Sequence, residues 1–342
     1  MWRPVPPKPY WRYCRETPPD MPHAPAFWRR GGGQVLPRLL APFAAVTAAV
    51  TAHRVARSGW RAPVPVICCG NVTVGGAGKT TVALDLGRRL VAQGCAVHFL
   101  IRGYGGRVRG PHRVASGDTA AMVGDEALLL AAVAPCWVGG DRAASAREAV
   151  AAGARVLVLD DGLQNPTLHK DLSLLVVDGA TGFGNGHVLP AGPLREPIAA
   201  GAARCQAAVL IGADSSGAAR ALPAGLPVLR ARLVPAPEAA ALAGQRVLAF
   251  AGIASPEKFF ATLAEIGCVL ADQVAFADHH AFAERELAEL LARAARLQAV
   301  PVTTAKDAVR LPDAIRAQVR VVEVALKWEE TEVLEALLAG LA

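Results

Sequence analysis

The chain has 342 residues, 53% of them hydrophobic and 19% charged, enough for two compact domains and too polar for a polytopic membrane protein. Its net charge of +7 is local: residues 1–62 hold ten Lys/Arg against Glu16 and Asp20, so everything after them carries −1. A nucleic-acid-binding protein would carry that surplus on its folded body, and the pattern points instead to an anionic membrane surface. The seven cysteines (Cys14, Cys68, Cys69, Cys95, Cys136, Cys205, Cys268) show no CxxC pair and no metal spacing, which excludes a disulfide framework or a zinc module and implies a reducing, cytoplasmic setting.

In chain order, residues 1–22 contain seven prolines and no apolar h-region, predicting an irregular start without a secretory signal; Met21 is a second candidate initiator. Leu36, Leu39, Leu40, Phe43, Val46 and Val50 then recur at helical spacing. The uncharged run from Leu39 to Ala52 is 14 residues long, shorter than the roughly 20 that span a bilayer, with Pro42 inside it and arginines around it. Two readings fit, a helix lying in the membrane interface and a first helix packed on the domain; the arginines favour the interface.

From residue 64, the apolar runs Val64–Cys69, Ala96–Ile101, Arg155–Leu159, Leu172–Val177 and Ala207–Ile211 alternate with helical stretches such as Thr80–Gln93 and Asp125–Val133. Continuous apolar strands alternating with helices predict an α/β fold, a parallel sheet covered by helices on both faces. Pro- and Ala-rich sequence around 213–240 breaks the pattern. A smaller β/α unit follows, with strands expected at Arg246–Ala251, Val300–Thr303 and Val319–Val324 and helices at Pro256–Ile266 and Ala283–Leu297. The expected organisation is a disordered start and basic membrane-associated segment over 1–62, a P-loop domain over 63–230, and a smaller α/β domain over 231–342.

The strongest motif is Thr73-Val-Gly-Gly-Ala-Gly-Lys-Thr-Thr81, after a strand and before a helix. Gly75, Gly76 and Gly78 let backbone N–H groups close around a phosphate. Lys79 reaches the β/γ-phosphates, and Thr80, followed by Thr81, ligates Mg²⁺. The nucleotide triphosphate pattern has Gly where Thr73 stands. In Val156-Leu-Val-Leu-Asp-Asp-Gly-Leu-Gln164, Asp160 and Asp161 end a buried strand, where a P-loop sheet holds its metal. Further polar clusters interrupt the apolar pattern: Arg102-Gly-Tyr-Gly-Gly106, Gly124-Asp125-Glu126, Asp141-Arg142, Pro190-Ala-Gly-Pro-Leu-Arg195-Glu196, Asp278-His279-His280 and Thr304-Ala-Lys306-Asp307. Each alone reads as a turn, a cap or a solvated loop; their common placement at strand ends predicts a shared cleft.

From about Phe27 to Arg310, the order T-x-G-G-x-G-K-T, R-G-Y-G-G, G-D-E, D-D-G-x-Q, P-x-G-P-L-R-E, F-x-D-H and K-D-A-V resembles the tetraacyldisaccharide 4'-kinase family. Ala305 departs from it, standing where the family often has Glu. The resemblance implies transfer of phosphate from ATP, with Mg²⁺, to the 4'-hydroxyl of a tetraacylated glucosamine disaccharide 1-phosphate at the cytoplasmic face of the bacterial inner membrane. Two α/β domains are implied to close over the nucleotide. It also implies Asp125 as base with His279 in support, Lys79 and Thr80 on the ATP phosphates and magnesium, and Asp160 and Asp161 on the metal. Arg102, Arg142, Gln164 and Arg195 are implied for the anionic lipid, with no nucleic acid and no obligate protein partner. The other reading is a partition- or cell-division-type ATPase switch, whose signature lysine would fall at Val74; a GTPase lacks its Asn-Lys-x-Asp motif here.

Overall fold

A computed structural model describes residues 24–341; the Pro-rich start and Met21 lie outside the described residues. The strands are β1 (Val66–Gly70), β2 (Val97–Ile101), β3 (His112–Arg113), β4 (Cys136–Val138), β5 (Val156–Asp160), β6 (Leu172–Asp178), β7 (Ala207–Ile211), β8 (Val228–Pro235), β9 (Arg246–Ala251), β10 (Val269–Ala275), β11 (Val300–Thr304), β12 (Arg320–Val322) and β13 (Val324–Trp328). The chain divides into two units, one of residues 24–234 with 324–341, the other of 235–323.

The larger unit is built on one nine-stranded sheet of order β13-β8-β7-β6-β1-β5-β2-β4-β3. From β8 to β4 neighbouring strands are parallel, and β3 pairs antiparallel with β4 at the edge. Every residue of β1, β2 and β7 is buried, as expected for strands covered on both faces. Period-two alternation assigns the faces. Ile67 and Cys69 join Val82 and Leu86 of the helix Lys79–Ala92 in one core. Val66 and Cys68 join Ala146 and Ala149 of the helix Arg142–Ala151 in the other.

The smaller unit has an all-parallel sheet of order β10-β9-β11-β12. The helix Pro256–Ile266 covers one face, with Phe259 and Leu263 on Val247 and Ala249. The helix Glu284–Arg296 covers the other, with Leu287 and Leu290 on Leu248 and Phe250.

The strand expected over Val319–Val324 is two strands in two sheets. β12 ends the smaller sheet, and after Glu323 alone β13 begins the edge of the larger one. The segment 324–341, expected with the smaller domain, therefore belongs to the larger unit. Its anchor is visible: Leu326, Trp328 and Leu334 enter the core around Leu86, and Trp328 Nε1 donates to Asp85 Oδ2 at 2.8 Å.

The N-terminal helix runs over Val35–Val55, 21 residues with Pro42 inside. Ala44 is buried, with Leu40 and Ala48 packed beside it, in the core under the larger sheet. Val35, Leu39, Phe43, Val46 and Val50, spaced three and four apart, are exposed. The packing expected of a first helix is thus observed on one face, and the opposite face is apolar and exposed.

Candidate active site

Parallel pairing sets the heights of the site. In the β1–β5 register Cys69 lies opposite Asp160, so the loop leaving β1 and the carboxylate ending β5 emerge side by side at the carboxyl edge of the sheet, where open α/β sheets bind ligands. Arg102 directly follows β2, and Arg142 starts the helix after β4.

The loop 71–78 turns into the helix Lys79–Ala92 through Gly78, whose φ of 87° is left-handed. A Cβ there would lie 2.6 Å from Ile211 Cδ1, which could shift, so it is the conformation that favours glycine. The segment 190–196 straps the loop. Val74 N donates to the Pro193 carbonyl at 2.9 Å, Arg195 N donates to the Val72 carbonyl at 2.7 Å, and Thr73 forms an antiparallel bridge with Leu194. Thr73 thus has a job that glycine lacks: its hydroxyl accepts from Asn71 Nδ2 at 3.0 Å. The strap is tied in turn to the chain's entry, because Trp28 Nε1 donates to the Pro190 carbonyl at 3.1 Å. Asn185 Nδ2 donates to the carbonyls of Phe27 (2.8 Å) and Ala191 (2.9 Å).

The two adjacent aspartates behave oppositely. Asp160 is 1% exposed, and both its carboxylate oxygens are buried without a hydrogen-bond partner. Burial, then repulsion from Glu126, push its pKa up to about 7. Lys79 opposes the shift, as does the Thr80 hydroxyl, which is near without being placed for a full hydrogen bond. Asp161, at a left-handed φ of 57°, accepts a bidentate pair from Arg195 at 2.8 and 3.0 Å and faces Lys79 Nζ at 3.9 Å. Burial disfavours its charge, but Lys79 and Arg195 outweigh burial and hold the carboxyl below its usual range.

An orphaned buried carboxylate beside a threonine hydroxyl is an oxygen-only donor set, which fits a hard divalent cation such as Mg²⁺. Among the described residues no three His, Cys, Asp or Glu side chains group to hold an ion unaided, so phosphate oxygens and water would complete the shell, the usual habit of magnesium.

Arg142 is 2% exposed; its Nη1 donates to the Gly139 carbonyl and its Nε is unpartnered. Burial lowers its pKa to about 10 against the pull of Asp161 and Asp160, while nearby Arg102, itself exposed, lowers it further. Its neighbour Asp141 is a helix cap, accepting from Ala143 N and Ala144 N. Asp125 opens the helix Asp125–Ala131; it is 3% exposed, with Oδ1 accepting from Glu126 N at 2.9 Å. Before it, Gly124 has φ 88°, and a Cβ would stand 2.7 Å from the Tyr104 carbonyl. The Arg102–Gly106 loop is thereby packed directly against the residue preceding Asp125.

Gln164 is engaged by the protein. Its Nε2 donates to the Asn71 carbonyl at 2.7 Å and to Glu196 Oε1 at 2.8 Å, and its Oε1 accepts from Arg195 Nη1 at 3.3 Å. Glu196, 2% exposed, also pairs with Arg204 at 2.7 Å. Sequence reasoning left three residues out of the site: Glu126, which acts on Asp160, and Asn71 and Glu196, which brace the loop. Glu126 and Glu196 lie inside quoted motifs and Asn71 stands just before one, but nothing in a single sequence marks Asn71 and Glu196 as buried.

In the smaller unit, His279 has a left-handed φ of 59°, and Lys306 Nζ lies 3.3 Å from its Nε2 and 3.3 Å from Asp278 Oδ1.

The family model for tetraacyldisaccharide-1-P 4'-kinase matches residues 36–342. A Gluconacetobacter diazotrophicus protein called tetraacyldisaccharide 4'-kinase is 60% identical over 317 residues, 92% of this chain and 97% of that protein. One of the same name from Rhodospirillum centenum is 57% identical over 93% of this chain and 96% of its own. In fold, the chain is similar to an "apo" form of LpxK from Aquifex aeolicus solved in complex with ATP, with a TM-score of 0.71 and 24% identity over 90% of this chain and 99% of that one.

Proposed function

The chain belongs to the tetraacyldisaccharide-1-P 4'-kinase family, and from that premise we propose how its residues carry out the transfer of the γ-phosphate of ATP to the 4'-hydroxyl of a tetraacyldisaccharide 1-phosphate in lipid A synthesis. Family membership replaces the ATPase-switch reading. The observation that carries the residue assignment is the buried, unpartnered Asp160 carboxylate beside Lys79 and Thr80 at the end of a strapped glycine loop.

Gly75, Gly76 and Gly78 present backbone N–H groups to the phosphates, with Thr73 and Thr81 flanking them, and Lys79 neutralises the charge of the transferred group. Thr80 and Asp160 would hold Mg²⁺, which when bound neutralises phosphate oxygens. Asp161 orients Lys79 through their ion pair and is itself fixed by Arg195. Arg142 and Arg102 supply positive charge where phosphate enters. Gln164 and Arg195 act as braces of the loop and of Asp161, the role their bonds support. Asp125 takes the proton of the 4'-hydroxyl as its oxygen bonds to the γ-phosphorus and the bond to ADP breaks, a contribution of about 10²–10⁴-fold. His279 is assigned to support Asp125 on the resemblance alone.

The exposed apolar face of Val35–Val55 supports a seat at a lipid surface. By length and composition this helix suffices to cross a membrane, but its opposite face packs on the larger unit, which favours a peripheral or monotopic seat on the cytoplasmic face of the inner membrane. Arg29, Arg30, Arg57 and Arg61 flank it, Arg54 lies in its last turn, and all suit anionic headgroups. Incubation with γ-labelled ATP, Mg²⁺ and a tetraacyldisaccharide 1-phosphate in detergent tests the whole assignment: label moves to the lipid, and Lys79→Ala stops it. Lipid that stays unlabelled with the parent protein refutes the reaction.

A further inference from the structure

The Thr304-Ala-Lys306-Asp307 motif has no part in the mechanism above, yet Lys306 reaches the loop 277–280 directly and Asp307, braced by Thr304, reaches it through Gly252 and Arg310. Asp307 is fully buried; Oδ1 accepts from Gly252 N at 2.9 Å and pairs with Arg310, and Oδ2 accepts from the Thr304 hydroxyl at 2.6 Å. Arg310 donates to the carbonyls of Gly252 at 2.8 Å and His280 at 2.9 Å. His279 N donates to that same Gly252 carbonyl at 3.1 Å. The backbone on both sides of the left-handed His279 is therefore clamped by Asp307 and Arg310.

The two histidines of the motif part company. His280 is built into the fold, its Nε2 2.9 Å from Glu286 Oε2 and its ring stacked on Phe276 at 4.7 Å. His279 meets Lys306 instead: Nζ is 3.3 Å from Nε2, and Asp278, whose Oδ1 holds Nζ at 3.3 Å, has its Oδ2 3.7 Å from the same Nε2. An ammonium has three donors and no acceptor. At this contact Nε2 must accept, and the proton of the neutral ring sits on Nδ1.

We propose that Lys306 is a positioning residue that fixes His279 in its Nδ1–H tautomer, with Asp278 holding the ammonium in place. The inference rests on the reading of His279 as the support of Asp125. An imidazole supports a carboxylate base by donating to it, and donation requires a defined N–H. The other tautomer would set an N–H against an ammonium, donor facing donor. The side-chain contacts described come from Thr304, Lys306, Asp307, Arg310 and Asp278, none from position 305, so alanine there leaves the arrangement intact.

The test uses the full chain with lipid and Mg·ATP, and compares Lys306→Met, Lys306→Arg, His279→Asn and the double variant Lys306→Met/His279→Asn. Lys306→Met lowers kcat about tenfold or more, part of what acid–base support contributes, with the KM for ATP within about twofold. Its melting temperature stays within about 2 °C of the parent, as for other partly exposed ion pairs. The ¹⁵N imidazole signals of His279, assigned by their loss in His279→Asn, show the Nδ1–H pattern in the parent and a mixture in Lys306→Met. Lys306→Arg restores much of the rate, and Lys306→Met costs nothing further on the His279→Asn background. A parent-like kcat or an unchanged tautomer in Lys306→Met, with His279→Asn impaired, overturns this proposal alone. A parent-like kcat in His279→Asn removes the role of His279 and this proposal with it.

Discussion

Asp160 is where structure and chemistry pull hardest against each other. Its pKa of about 7 means that the metal-free folded protein keeps the carboxyl protonated at pH values where the unfolded chain, with its ordinary carboxyl, has ionised. Between about pH 4 and pH 7 the folded state therefore binds more protons, and the contribution of Asp160 to stability falls as pH rises. We expect Asp160→Asn, free of metal, to gain on the parent over that range, by on the order of a few kcal/mol above pH 7, while losing nearly all activity. Mg²⁺ with a non-hydrolysable ATP analogue raises the parent's melting temperature and leaves the variant's nearly unchanged. Melts from pH 5 to 8, with and without Mg²⁺, decide it; a variant less stable than the parent at every pH would make Asp160 an ordinary structural carboxylate. Lys79→Ala completes this scale. Its charge faces Asp161 at 3.9 Å, so the variant folds, with turnover reduced at least about 10³-fold, a typical loss when a phosphate-stabilising cation goes; near-parent kcat would remove the loop assignment.

At the scale of elements, the sequence was legible where periodicity or a motif marked it. The helix expected over Thr80–Gln93 is Lys79–Ala92, and the expected run Ala207–Ile211 is β7. Illegible were the two- and three-residue strands β3 and β4, too short for any period, and the joint at Glu323, where one apolar run feeds two sheets. In the proposed site, motifs pointed to Lys79, Thr80 and Asp160, which the fold brings together, but the strap of 190–196 and the buried braces Asn71 and Glu196 come from contacts distant in sequence, which one chain read alone does not reveal. The helix Val35–Val55 was legible as apolar and basic, not as two-faced. Its outer residues Leu39, Phe43 and Val46 are about two-thirds exposed, so Leu39→Glu/Phe43→Glu/Val46→Glu should leave the melting temperature nearly unchanged. The same change should release the protein from anionic vesicles in sedimentation and raise the KM for lipid more than that for ATP. Undiminished vesicle binding would assign the face to something other than lipid.

At the scale of the whole molecule, the chain completes most of one sheet, builds a second unit over 235–323, and returns to add β13 and close the first core on Asp85. The two proposed proton-handling residues are divided by that excursion, Asp125 on the larger unit and His279 on the smaller. Local explanations differ for the two. Asp125 accepts from Glu126 N within the first turn of its helix, a structural duty that asparagine could share. The His279 side chain contacts Lys306 and Asp278, while the loop itself is clamped by Asp307 and Arg310. Asp125→Asn and His279→Ala should thus each fold, and each should lower kcat with little change in the KM for ATP. If the two act on one proton transfer, removing the second after the first costs little, because residues acting as a unit give non-additive losses. We expect kcat to fall about 10²–10⁴-fold for Asp125→Asn, less for His279→Ala, and the double variant to match the poorer single within about threefold. Measuring kcat for all three against the parent, with ATP saturating, supplies the cycle. Losses that simply multiply would show that the two residues serve separate steps, and Asp125 would then act without help from the smaller unit's histidine.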